Sequence, residues 1–262
     1  MPVFAGLIYI ISTAIFSILA IVVAIRLLAL SRRTQQIPER SVGLSIGLAA
    51  GLGYGTLIFG LVGRRAAGWD DAPEFYTWII GAGWIFHNLG VSFMLDFVRR
   101  VFRPGEAWAG VLQVGLTSLL WGAWTIDVMD GGLVAARPGF YYWLCFSVIG
   151  TYPLWTAIEA LHYWSMMRRR VSLGLADPLV ANRFLLWAIA SLCTMASIWT
   201  VEIPTFLGYE RLSLGAVHIT TVTMIGTSVL GIITICTYWL TFFPPDWYRA
   251  RFRASDPSEA SS

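Results

Sequence analysis

Residues 4–31 read FAGLIYIISTAIFSILAIVVAIRLLALS, a run in which Arg26 is the single charge. A helix needs roughly 20 consecutive apolar residues to cross the hydrocarbon core of a bilayer, so the run predicts one membrane span. It exceeds the apolar core of a signal peptide, which is about 7–15 residues, and no basic residue precedes Arg26, so it is expected to persist as a helix. Six further runs of the same kind follow at 41–62, 73–98, 106–126, 140–166, 180–206 and 213–243. The expected fold is all-α: a polytopic membrane protein with seven transmembrane helices in one bundle, residues 1–253, followed by a disordered cytoplasmic tail at 254–262. Short connections make consecutive helices antiparallel neighbours.

Composition agrees. Hydrophobic residues make up 57% of the chain and charged residues 13%, against about a quarter charged in soluble domains. All 18 basic residues are arginine, and 14 of them flank alternate loops and the C-terminal end: Arg26, Arg32, Arg33 and Arg40, then Arg99, Arg100 and Arg103, then Arg168, Arg169, Arg170 and Arg183, then Arg249, Arg251 and Arg253. The opposite side carries 4: Arg64, Arg65, Arg137 and Arg211. The excess of positive charge on cytoplasmic loops then predicts an outside N-terminus and a cytoplasmic C-terminus. Trp69, Tyr76 and Trp78, and later Tyr238, Trp239, Trp247 and Tyr248, sit where amphipathic rings anchor spans at the headgroups. The expected partner is the lipid bilayer, with no role for nucleic acid.

The absence of lysine excludes a covalent retinal protein, because no amine is present to form a Schiff base. Cys145, Cys193 and Cys236 all lie within spans with no metal-pair spacing and read as small apolar residues.

Gly43, Gly47, Gly51 and Gly55 place a glycine at every fourth position of the second span, a stripe that lets another helix approach closely. Gly81, Gly83 and Gly90 on the third span are expected partners for it, and a dimer interface is the alternative. Pro153 and Pro204 interrupt the fifth and sixth spans, where each frees a carbonyl.

Ionisable residues inside spans are costly and are the first place to look for function. His87, with Asn88 beside it, lies ~16 Å into the third span, near the midplane. Glu202 and His218 lie on consecutive helices near the outer boundary, with Asp127 at a comparable level. A carboxylate–imidazole pair there serves ligand binding, proton sensing, or simply the joining of two helix ends. Asp96, Glu159, His162 and Arg183 form a group towards the cytoplasmic boundary, in which pairing of Glu159 or Asp96 with Arg183 is the structural expectation. Glu159 and His162 share a helical face, but the second Glu-x-x-His and the two further glutamates of a di-iron site are missing. No metal site or cofactor is expected. Haem on His87 is the alternative, without a second histidine at the same depth.

The third helix ends Phe97-Val98-Arg99-Arg100-Val101-Phe102-Arg103-Pro104, and the chain closes on Phe243-Pro244-Pro245 followed by aromatics and arginine. With an outside N-terminus and an arginine-bearing first loop, this layout resembles the seven-helix sensor modules N-terminal to bacterial histidine kinases and cyclic-dinucleotide synthases. The resemblance covers nearly the whole chain, chiefly in topology. It implies a sensor or receptor-like protein without catalysis of its own, acting through a cytoplasmic signalling partner or a homodimer. Its ligand would enter from the outer side, between the sixth and seventh helices, near His87, Asn88, Glu202 and His218. The alternatives are a haem- or quinone-associated redox protein, and a small transporter or intramembrane enzyme.

Overall fold

A computed structural model describes residues 2–35, 37–68, 70–135, 137–209 and 217–253, and for 2–5, 134, 217–220 and 253 the backbone alone. Trp69, Arg211, the His218 side chain and the 254–262 tail therefore lie outside the described residues. Among the described residues the chain is helical, without strands. Seven helices are long and apolar enough to cross a membrane: Gly6–Thr34, Ile37–Ala66, Phe75–Phe102, Ala107–Met129, Phe140–Ser172, Pro178–Phe206 and Thr221–Phe242. Several run past the apolar stretch that announces them. Backbone hydrogen bonding does not stop where hydropathy falls, so the helix from Phe140 continues through Arg168, Arg169 and Arg170 to Ser172.

The first span is α1 (Pro2–Thr34). The second is composite: α2 (Ile37–Ser45), a π-helical segment Ile46–Gly53, and α3 (Tyr54–Ala66). Next come α4 (Phe75–Phe102), α5 (Ala107–Met129), α6 (Phe140–Ser172), α7 (Pro178–Phe206) and α8 (Val217–Phe242). Pro178 at the first position of α7 lacks the N–H that would go unpaired there, and the Asp177 side chain caps the turn by accepting from Leu179 N at 2.7 Å. Pro244 and Pro245 end α8, after which a short α9 (Asp246–Arg253) forms, a helix that hydropathy does not announce. Asn182 Nδ2 donates to Tyr248 Oη at 2.6 Å and ties α9 to α7.

Packing follows chain order with one exception. α1 lies between α8 and the second span, the second span lies between α1 and α4, and α6, α7 and α8 pack in sequence until α8 closes back on α1. α4 also meets α6 directly, which leaves α5 outside the ring, against α6 and α4. Val111 and Val114 on α5 are accordingly exposed.

Glycine makes the second span fit between two neighbours. A Cβ built on Gly47 would lie 2.8 Å from the Ala24 side chain, one on Gly51 2.7 Å from Ile21, and one on Gly55 2.9 Å from Ser17. The every-fourth-residue stripe therefore faces α1. Of the α4 glycines expected to meet it, two turn to other positions of that span, Gly90 to the backbone of Ala49 and Gly83 to Leu57, while Gly81 faces Leu133 instead. On an α-helix a four-residue spacing drifts about 40° per step. The wider π turn offsets that drift, which keeps the stripe on α1.

The aromatic core fills the arginine-rich half of the bundle. Phe97 stacks on Trp187 with ring centroids 5.2 Å apart, and Phe242 meets the same indole edge-on at 5.4 Å. The other half holds a space lined from several helices.

Candidate functional site

The space left in that half is a partly open cavity of two lobes. The smaller, about 90 Å³, is lined by Tyr9, Ser12 and Thr13 of α1, His87 of α4, Thr194 and Ser197 of α7, and Thr227, Ser228 and Thr234 of α8, among others. The larger, about 150 Å³, lies towards the arginine-poor end, between Trp84, Tyr142, Phe146, Glu202 and Thr205. Tyr9, Tyr54, His87, Ser197 and Ile198 line both, so the lobes meet at these residues.

Each wall owes its polarity to helical spacing. Tyr9, Ser12, Thr13 and Phe16 recur at i, i+3, i+4 and i+7, one face of α1. Thr227, Ser228, Gly231 and Thr234, at i, i+1, i+4 and i+7, line the cavity from α8. Hydroxyl groups survive in such a wall because a helix can satisfy them itself. Ser228 donates to Met224 O at 2.8 Å and Thr234 to Leu230 O at 2.9 Å, while Ser12 Oγ reaches across to Ser228 Oγ at 2.7 Å. Tyr9 and Tyr54 share a hydroxyl–hydroxyl bond of 2.8 Å where the lobes join.

His87 is held by the π-helical segment. Tyr54 N–H reaches back five residues to Ala49 O, and the same carbonyl lies 3.2 Å from His87 Nδ1. A carbonyl only accepts, so Nδ1 carries the proton, and in the neutral ring Nε2 remains an acceptor on a side chain lining both lobes. The close approach is glycine's doing: a Cβ on Gly53 would stand 2.6 Å from His87 N.

Glu202, in the last turns of α7, accepts from Tyr142 Oη through Oε1 at 2.8 Å. Its Oε2 is buried without a hydrogen-bond partner among the described residues. The structure thus gives Glu202 a tyrosine of α6 as its partner, with the backbone of His218 in the first turns of α8 and its side chain outside the described residues. Asp127 stays apart from this site, its carboxylate packed on Gly132 at the end of α5. Asn88 is fully buried but lines neither lobe, because the next residue on a helix points about 100° away.

The group near the arginine-rich end is paired differently from the sequence expectation. Glu159 is bonded by Arg103 Nε at 2.8 Å and by the Trp155 indole at 3.3 Å, not by Arg183. Arg103 follows directly after α4 and is held above its ordinary pKa by the hydrogen bond to Glu159. Asp96 pairs along its own helix with Arg99 and Arg100, at 3.3 and 2.7 Å. His162 is exposed, and the Nε of Arg183 has no hydrogen-bond partner among the described residues. The correction has a simple cause: Arg103 sits in the turn after α4 that meets α6 at the level of Glu159. Position in the sequence ranks arginines by depth and cannot tell which one faces α6.

Reading the sequence by charge missed Tyr9, Ser12, Tyr54, Tyr142, Ser197 and the threonines of α8. The signal was present as polar residues at helical spacing in otherwise apolar spans. Among the described residues no group of three or more His, Cys, Asp or Glu could hold a metal ion. No protein-family model, curated protein or solved structure matches the chain.

Proposed function

We propose that this protein is a sensor or receptor-like component of a bacterial inner membrane that holds a small ligand in the two-lobed cavity. Its arginine distribution supports an outside N-terminus and a cytoplasmic C-terminus. That orientation puts the larger lobe in the outer half of the membrane and the aromatic core between the cavity and the cytoplasm.

The carrying observation is the cavity itself. A largely preformed space with apolar walls and a few convergent polar groups is the usual form of a small-molecule site. Here the polar groups come from α1, α4, α6, α7 and α8 together, so an occupant would touch most of the ring at once. A ligand preferring one arrangement of those helices would shift their packing, and α9 with its arginines hangs directly from α8. A cytoplasmic signalling partner or a second copy of the chain would read that shift.

A thermal-shift screen of small molecules on the purified protein tests the reading, run in parallel on Ser197→Phe, which fills the junction of the lobes. A compound that raises the wild-type Tm and leaves the variant's unchanged supports it. A screen in which every stabilising compound acts equally on both overturns it.

A further inference from the structure

The larger lobe contains a carboxylate and a surplus of aromatic surface. One oxygen of Glu202 is satisfied by Tyr142, and the other is buried with no hydrogen-bond partner among the described residues. A carboxylate oxygen shut off from water in this way is costly unless a positive group sits beside it. Around it stand the rings of Tyr9, Tyr54, Trp84, Tyr142 and Phe146. Trp84 and Tyr142 meet edge to face, with centroids 5.9 Å apart, and Tyr142 lies nearly parallel to Phe146 at 6.0 Å.

Ring faces are electron-rich and attract weakly hydrated cations, most strongly where water is excluded. Small hard metal ions require several oxygen ligands, and among the described residues the lobe offers a single carboxylate. An anion would be repelled by Glu202. From these walls we propose that the larger lobe binds an organic ammonium ion, with Glu202 as its counter-ion and the surrounding rings as its cage. The proposal rests on the reading of the cavity as a ligand site. It names the ligand's chemical class: a primary or quaternary ammonium group on a small apolar or aromatic body, charged end towards Glu202 and remainder towards Tyr9 and Tyr54.

The test uses the whole protein in nanodiscs and two pairs of probes matched in size: choline with 3,3-dimethylbutan-1-ol, and phenethylammonium with 2-phenylethanol. Affinities are read by titration calorimetry and by tryptophan fluorescence. Each cation should bind at least about tenfold more tightly than its uncharged partner, and Glu202→Gln should remove that preference. Trp84→Leu leaves the carboxylate in place and should weaken the cations more than the alcohols. Equal affinity within the pairs, or a preference that survives in Glu202→Gln, overturns the ammonium assignment while leaving the cavity a ligand site. Absence of binding by all four probes also overturns it, and the thermal-shift screen then decides the cavity reading separately.

Discussion

Glu159 shows how a buried charge is kept in a span. Its side chain is only 3% exposed, yet it receives a guanidinium N–H and an indole N–H, and the Arg103 side chain is itself 31% exposed, with its Cζ 5.6 Å from the centroid of the Trp108 ring. Arg26 uses the same device near the end of the first span, lying 4.8 Å over Trp239 and 5.3 Å over Phe243. Removing one partner of a buried pair leaves the other uncompensated. Arg103→Ala should therefore destabilise the purified protein by about 1–3 kcal/mol, the partial exposure of the arginine keeping the figure below that of a fully buried pair. Arg183→Ala should stay within about 0.5 kcal/mol. Thermal melts of the two variants decide between the pairing seen here and the one depth alone suggests; the reverse order would show Glu159 to be held by Arg183.

Among the elements, the second span is the one whose sequence carries most information. Its glycines serve two neighbours, α1 on the stripe of Gly43, Gly47, Gly51 and Gly55, and α4 through Gly53 and Gly60. A side chain added where backbone faces backbone cannot be accommodated by a rotamer change. Gly53→Ala and Gly90→Ala should thus each destabilise by about 1–3 kcal/mol. Gly115→Ala, with nothing within 4 Å of the new methyl, should be neutral or stabilising by up to about 1 kcal/mol, since alanine is the better helix former. Tm values measured on the three variants check the ranking, and equal effects would contradict the close approach of α4 to the π-helical segment. The stripe was visible in the sequence as a spacing. Its partner was not, because glycine on a helix states that something comes close without stating what.

For the whole molecule, the unequal division of arginines should fix orientation during insertion. A reporter fused after α9 should be active in its cytoplasmic form, and one fused in the loop between α3 and α4 in its exported form. Activity of the C-terminal fusion in the exported form would reverse the topology and place the larger lobe in the cytoplasmic half.

The amino-acid sequence by itself determined the seven spans, the clustering of arginine at one end of them, and the position of each ionisable side chain along its span. These follow from length, hydropathy and a fixed rise per residue, which need no knowledge of neighbours. Only the tertiary structure decided that α5 lies outside the ring, that Tyr142 of α6 reaches Glu202, and that His87 faces a cavity while Asn88 does not. The reason is the solvent. In water an apolar face marks the inside, but in lipid the outward face is apolar too, so the pattern that separates core from surface in a soluble helix is weak in a span. What remains legible is the polar minority, and which of those side chains meet is settled by helix rotation and packing.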